Sequence, residues 1–484
     1  MPTTIFRRDH NRIWILFALA SIALALIILP LTYAVLVIGG AIALVALLRW
    51  HELALYALIL AIPYGAWFPV QVSVANLTAA DFLVAVVLIL WLTRMIARER
   101  AIRVAFPPLT FPFMLFLGAA FLSFTVAENM QFALKEFVKW AEMFALYVFV
   151  ANNLDETKLA RVLVVLFSAG ISEAAIGIYQ FLFKVGPEGF TLFNQFIRAY
   201  GTFEQPNPYA GYLGLVVPVA FGVVIAVNSH QSSVGRRTMD GGRKFSTLTF
   251  STLAFVAFAA MLAALAMSWS RGAWLGVGAA LVVTVIVQSR RAFIFSLVVV
   301  LIIAAIIFLS SLNIIPSIVA ERFEGIANYF GVFDVRGVKV DDANFAIVER
   351  MAHWQAAFEM FASSPWRGIG FGNYAIAYPR VALPHWSDPL GHAHNYFLNV
   401  AAEAGLAGAL AYIILWGAAF WHGWRAVRAT RGMNRALAAG LLGMVVGLTV
   451  HNSFDNLFVH AMQMQVGIGL GIAAWLNQNA AETK

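Results

Sequence analysis

Apolar runs long enough to carry an α-helix across a bilayer, about 20 residues, recur along the whole chain, separated by short polar punctuation. Fourteen are present, at about 13–29, 31–48, 52–70, 80–96, 108–125, 134–151, 160–183, 208–228, 247–268, 272–288, 292–313, 401–422, 436–453 and 459–476. The pattern predicts an all-α fold, a polytopic transmembrane helical bundle of 12–14 spans, the range set by how the first and last pairs of runs are counted. Residues 1–12, with Arg7, Arg8 and Arg12, lead into an apolar run that continues past Pro30 into a second one without a cleavage site. They therefore read as the start of an uncleaved first span rather than as a secretory signal.

The polar positions set the orientation. Arg94, Arg98, Arg100 and Arg103 form one basic loop; Arg236, Arg237, Arg243 and Lys244 a second; Arg290 and Arg291 a third; Arg425, Arg428, Arg431 and Arg435 a fourth. With the amino terminus inside, all four face the cytoplasm, and the short alternate connections at 70–79, 127–130 and 451–460 carry no lysine or arginine, as the positive-inside rule requires. Composition agrees, because 61% hydrophobic and 12% charged residues, with a mean hydropathy of +0.80, suit a chain solvated by lipid. The net charge of +8 sits in these loops and not along a groove, so nucleic acid is not an expected partner. Zero cysteines exclude disulfides and thiolate chemistry.

Two exterior segments are longer: 185–208, which holds Arg198, and 314–394, which holds Trp354, Trp366 and Trp386. Long loops on a membrane scaffold are where function concentrates. Within the second, Met351, Trp354, Phe358 and Phe361 recur at helical spacing and predict an amphipathic helix over 348–363, lying at the interface and covering the bundle. The run PWRGIGFGNY at 365–374 reads as a tight turn, lacking the strand and helix that a nucleotide loop needs. No internal repeat of the kind found in secondary transporters is present.

The topology brings three ionisable sites to the same outer boundary: Arg198 in RAYGTFEQPNPYAGYL, Arg271 in SWSRGAWLG, and His394 in GHAHNYFLNVAAEAGLAGAL. Arg271 stands in a connection of a few residues between apolar helices, where an arginine costs about 2.5 kcal/mol or more if it faces lipid at depth. Snorkelling into headgroups is one reading; the other is an anion site in which Arg198 and Arg271 clamp a diphosphate with paired hydrogen bonds. His394 suits an interfacial, metal-binding or basic role. His392 and His394 form half of a possible zinc site, but no further ligands stand at a motif spacing. General base is the preferred role, since an imidazole titrating near pH 6.5 can accept a hydroxyl proton at neutral pH.

Other polar residues carry weaker readings. Glu403, Asn452 and Asp455, the last two in HNSFDN beside His451, are candidates for helix pairing or for orienting the site, as are Glu173, Tyr179 and Gln180 near the outer end of the seventh run. Lys135, Glu136, Lys139 and Glu142 alternate sign at helical spacing and read as a self-paired helix start. Asp341 and Asp342 are adjacent acids that bind a divalent cation or stay solvated.

At this point the chain resembles the O-antigen ligase and O-antigen polymerase family of bacterial membrane glycosyltransferases. His394 and Asn395, nine residues, Gly405, two residues, then Gly408 match the family's histidine pattern; Arg198 with GTFEQPNPYAGYL and Arg271 within SRGAWLG match its two arginine motifs in order, and GIYQF at 177–181 is similar as well. The resemblance covers about 130–475. It implies a fold of the membrane glycosyltransferase C type, a lipid-linked glycan donor on undecaprenyl diphosphate, and transfer at the periplasmic face of the bacterial inner membrane without a metal or other cofactor; the long periplasmic loop before His394 departs from the usual ligase pattern. It further implies that His394 is the base and that Arg198 and Arg271 bind the diphosphate; the polar residues themselves add Asn395, Glu403, Asn452 and Asp455 as possible substrate or orienting residues. The chain would divide into an N-terminal bundle at 1–313, a periplasmic loop at 314–393 and C-terminal helices at 394–484.

The expected reaction moves a glycan to an acceptor hydroxyl, on a lipid A core or another surface acceptor, among membrane lipids. A diphosphate leaves as a stabilised anion, so one base and charge stabilisation replace the acid and carboxylate pair of a glycosidase. A polysaccharide polymerase of the same family, accepting another lipid-linked glycan, is the alternative; a transporter of a lipid-linked solute is a further one, and predicts ionisable residues along a midplane path.

Overall fold

The long apolar runs fold as helices because a backbone in lipid must satisfy its polar groups internally. A computed structural model of the chain describes residues 30–50, 52–67, 69–72, 75–192, 195–228, 247–288, 334–340 and 344–482, with 294, 298 and 301. The run at 13–29 and nearly all of 292–313 lie outside these residues, as do Arg236, Arg237, Arg243, Lys244, Arg290, Arg291, Asp341 and Asp342.

The described helices are α1 Leu31–Arg49, α2 Glu52–Tyr64, α3 Ala79–Arg94, α4 Thr110–Leu122, α5 Met130–Asn153, α6 Glu156–Phe183, α7 Pro206–Asn228, α8 Thr247–Met267, α9 Arg271–Ile286, α10 Phe345–Ser363, α11 Tyr374–Ala377, α12 Tyr396–Ala429, α13 Gly432–His451 and α14 Met462–Glu482. Two small antiparallel hairpins, Val70–Val72 with Ala75–Leu77 and Thr191–Leu192 with Phe196–Ile197, are the strands among them. Among the described residues, six helical stretches are long and apolar enough to cross a membrane: Ala79–Ala97, Glu156–Phe183, Pro206–Ala226, Thr249–Met267, Tyr396–Ala429 and Gly432–His451. The protein is an all-α polytopic membrane protein.

Some boundaries differ from the sequence pattern for identifiable reasons. The run at 52–70 stops being α-helical at Tyr64, just after Pro63, and turns through Gly65–Trp67 into the first hairpin. The run at 134–151 begins earlier, because Asn129 caps α5 by accepting from the backbone N–H groups of Gln131 and Phe132. The loop helix is present as α10, but its buried face is Val348, Met351, Ala352, His353, Ala356, Ala357 and Met360, while Phe358 is 62% exposed. The expected aromatic stripe is thus displaced: small alanines and Met360 pack with Ala402 of α12 in one apolar cluster, and the bulky Phe358 is left outside.

Small residues also set the helix packing. A side chain at Gly222 would meet the Ala436 carbonyl at 2.4 Å, one at Gly440 the Pro218 carbonyl at 2.4 Å, and one at Gly276 the Gly447 carbonyl at 2.7 Å, the close backbone approach typical of membrane helices. These contacts run α13 antiparallel to both α7 and α9, whereas Gly467 against Met143 and Gly471 against Val150 run α14 parallel to α5. The starts of α5, α7, α9 and α14 and the end of α13 therefore share one end of the bundle. The start of α12 joins them, because the Tyr396 N–H donates to the Asn452 carbonyl at 2.8 Å. At the other end, Arg435 donates to the carbonyls of Val287 and Gln288 at 3.3 Å each, and Lys158 and Arg161 pair with Glu52. The basic loops with described structure and the three motif sites thus occupy opposite ends.

Candidate functional site

Arg198 is held by a loop that two buried polar residues of α6 fold into place. The Gln180 carboxamide accepts from the N–H groups of Tyr200 and Gly201 and donates to the Gly201 carbonyl. The Glu173 carboxylate accepts from both the N–H and the hydroxyl of Thr202, at 3.1 and 2.9 Å. Gly177 leaves room for Tyr209, whose hydroxyl would lie 2.0 Å from an added side chain. The GIYQF run and Glu173 therefore build the arginine loop and do not themselves present chemistry. The Arg198 guanidinium donates to the Ser268 carbonyl at 2.8 Å and to Asn207 Oδ1 at 3.2 Å, which ties the first arginine motif to the second.

Arg271 opens α9, so its charge adds to the positive end of the helix dipole. Next to it, Gly272 lies against the His451 ring and Phe454, within 3.0 and 3.8 Å of an added side chain, so the 451–456 loop is its immediate neighbour. A third arginine arrives from α10: Arg350 donates through Nε to the Phe454 carbonyl at 3.2 Å and through Nη1 to the Ala346 carbonyl at 3.1 Å. Burial, then the charges of Arg350 and Arg271, push Arg198 down to about 10 from 12.5, and the charge of Arg350 also bears on Arg271. Neither Arg198 nor Arg350 has a carboxylate within ion-pair distance among the described residues. Like charges gathered this way repel, and a bound anion relieves the cost.

The histidine lies across the same loop. His394 Nδ1 is 3.6 Å and His392 Nε2 is 3.9 Å from Asp455 Oδ1, and Asp455 also accepts the Asn456 N–H at 2.9 Å. His394 adopts a left-handed backbone, φ 51°, uncommon for a residue with a side chain. That turn is pinned by Trp354 Nε1 donating to its carbonyl at 3.2 Å and by its own N–H donating to His392 Nδ1 at 3.1 Å. Both ring nitrogens of His394 are buried without a hydrogen-bond partner among the described residues. With the Nδ1 proton turned toward Asp455, Nε2 presents its lone pair, the arrangement of a base oriented by a carboxylate. Burial pushes Asp455 up, but the bonding and charge of His394, with His392 and His451, outweigh it and hold the acid ionised below the usual carboxylate range. Burial, reinforced by the charge of His394, pushes His353 down to about 4 and His392 to about 3, so both are neutral near pH 7.

His392, His394 and Asp455 offer ligand atoms all within 4.8 Å of one another, a set that by residue type fits a divalent cation. The tautomer of His392 disfavours coordination. Its Nδ1 accepts the His394 N–H, which places its proton on Nε2, the nitrogen nearest Asp455. A metal there would displace that proton to Nδ1 and abolish the bond that shapes the turn.

The remaining candidates are supports. Asn395 caps α12 by accepting the Leu398 N–H at 3.1 Å. Asn452 accepts the Tyr396 N–H through its carbonyl and the Leu457 N–H through Oδ1. Glu403 is buried and accepts the Tyr374 N–H at 3.0 Å, facing the glycine turn rather than His394. Gly405, φ 65° and ψ −163°, breaks α12 from within. The break releases the carbonyls of Ala402 and Glu403 to accept from Ile369 and Gly370 at 3.0 Å each, while the Leu406 N–H donates to the Pro365 carbonyl at 2.7 Å. Gly405 and the 365–374 run are thus two sides of one joint that clamps the long loop onto α12. Lys139 and Glu136 pair as the sequence suggests, but they also reach Phe458 and Tyr396 and so brace the start of α12.

Arg350 is the functional candidate that sequence reading missed; its one signal was a cation within a helix already expected to cover the site. Among solved structures, a chain described as "Structural coordination of polymerization and crosslinking by a peptidoglycan synthase complex" is similar to this one at 14% identity, covering 77% of this chain and 97% of its own, with a TM-score of 0.41, a likeness that decides neither fold nor function. No curated protein matches. Over residues 256–413, the stretch that carries Arg271, Arg350 and His394, the chain matches the family model described as O-antigen ligase.

Proposed function

We propose that the chain is a metal-independent, inverting glycosyltransferase of the O-antigen ligase type. It moves a glycan from undecaprenyl diphosphate to a hydroxyl of a lipid A core or another surface acceptor, at the periplasmic face of the bacterial inner membrane. One observation supports the reading: Gly272, next to Arg271, packs against His451 and Phe454, and Asp455 of the same loop lies 3.6 Å from His394 Nδ1. The acceptor hydroxyl loses its proton to His394 Nε2 as its oxygen attacks the anomeric carbon, and the bond to the diphosphate oxygen breaks on the opposite face. Arg198 and Arg271 stabilise the charge that develops on the leaving oxygen, where preorganised cations act most strongly. Asp455 holds the imidazole ring and stabilises the imidazolium. The membrane location of the helices suits a donor whose lipid tail stays in the bilayer.

The test is transfer from a purified lipid diphosphate glycan by the purified protein in lipid, comparing the wild type with His394→Ala and Arg271→Ala. Both variants are expected to lose transfer. Normal turnover in both would defeat the roles, and transport of the lipid without transfer would replace the enzyme with a carrier.

A further inference from the structure

The charge of the diphosphate changes during the reaction, and the number of cations at the site allows that change to be sensed. In the intact donor one phosphate is esterified to the lipid and the other to the sugar, the two share the bridging oxygen, and the group carries two negative charges. When the acceptor oxygen bonds to the anomeric carbon and the old bond breaks, the electron pair stays on the terminal phosphate and the acceptor proton passes to the base. The leaving lipid diphosphate then carries three charges, at any pH well above the second phosphate pKa of about 6. Two arginines match the donor. The site holds a third.

Resting on the reading above, we infer that Arg350 is a binding residue for the terminal phosphate of the departing lipid diphosphate, so that the site favours the trianionic product over the dianionic donor. Several observations place it there. Arg350 is fixed by its bond to the Phe454 carbonyl, and Phe454 packs at Gly272, next to Arg271. Arg198 is tied by Ser268 to the same turn. Asp455, which follows Phe454, is the carboxylate at His394, and Trp354, one turn beyond Arg350 on α10, donates to the His394 carbonyl, so the helix that carries Arg350 also touches the histidine. The bonding of Arg350 uses Nε and Nη1 on backbone carbonyls, and it makes no ion pair among the described residues. A third cation on the reacting side gains most as the third charge forms, and it slows product release in proportion. The reaction that follows must therefore consume the lipid diphosphate, by cleaving its terminal phosphate or by taking the lipid away.

The test is equilibrium binding at pH 8 to the full-length protein in nanodiscs, by calorimetry, with two probes: farnesyl diphosphate, which carries three charges, and farnesyl diphosphate capped by glucose on its terminal phosphate, which carries two. The wild type is expected to bind the uncapped probe about tenfold or more tighter. Arg350→Gln removes most of that preference, weakening the uncapped probe at least about fivefold more than the capped one, while Arg350→Lys, which keeps the charge, retains much of it. Equal binding of both probes by the wild type overturns the inference even if Arg350→Gln fails to fold. So does an Arg350→Gln variant that keeps the preference, or that weakens both probes alike. Arg198→Ala separates the two levels: if it binds both probes as the wild type does, the diphosphate reading itself fails, whereas loss of both with an unchanged Arg350→Gln variant sinks only the role of Arg350.

Discussion

Around Arg198, Arg271 and Arg350, cations gather with no carboxylate in ion-pair reach of Arg198 or Arg350 among the described residues, whereas on the far side of the 451–456 loop two histidines share one buried acid, Asp455. The two halves are built from opposite electrostatic logic. In the arginine half the charges of Arg198 and Arg350 repel, and an anion arriving there relieves the cost. In the histidine half the counter-charge is already in place, because Asp455, held ionised, supplies the charge that a protonated ring will need. The proposed reaction, which expels a diphosphate and collects a proton, would use this division, and the two halves should fail differently when altered.

The largest separation is expected from His394→Ala, which should cost about three orders of magnitude in transfer while donor affinity stays within about threefold; equal loss of binding would merge the halves. Asp455→Asn keeps the ring in place but not its counter-charge and should lower kcat about a hundredfold with little change in KM, the split that marks a positioning residue. Gly405→Leu attacks the joint that holds both halves. A side chain there would sit 2.5 Å from the Trp366 carbonyl carbon at a φ of 65°, a backbone cost of about 1–3 kcal/mol. The expected outcome is protease cleavage in 365–374 together with a fall in transfer of about tenfold or more. Glu173→Gln, which loses one of two bonds to Thr202, should weaken donor binding only a few fold, about 1 kcal/mol, through looser placement of Arg198.

Acid gives the smallest and most graded effect. His353 is held down to about 4 and His392 to about 3 against 6.5 in an exposed ring. Between pH 6.5 and about 4 the unfolded chain therefore binds more protons than the folded one, and stability falls as pH falls through that window. The midpoint of thermal unfolding should drop by about 2–4 °C from pH 7 to pH 5, and His353→Gln should flatten the slope. A midpoint that rises with acid would contradict the neutral assignment of these rings.

Much of this was legible in the chain because membrane helices announce themselves by length and apolarity, and because Arg198, Arg271 and His394 each stand where a polar residue is costly. Ordered motifs then linked them. Arg350 escaped because a cation on an amphipathic loop helix looks solvated until Phe454, about a hundred residues away, fixes it in place. The break at Gly405 was hidden for a related reason: a glycine inside an apolar run reads as a tolerated interruption, and only the facing backbone of 365–370 shows that the missing helical bonds are remade across the joint. Phe358 misled because spacing marks an apolar face without saying which neighbour will cover it, and the alanines beside it packed more closely.

The claim that the two halves form one diphosphate site can be tested with a prenyl diphosphate bearing a photoreactive group near its phosphates, cross-linked to the protein in nanodiscs and mapped by mass spectrometry. Label on peptides containing Arg198, Arg271 and the 451–456 loop, displaced by unlabelled lipid diphosphate, is the expected result. Label confined to the opposite end, near Arg94 or Arg435, would contradict it.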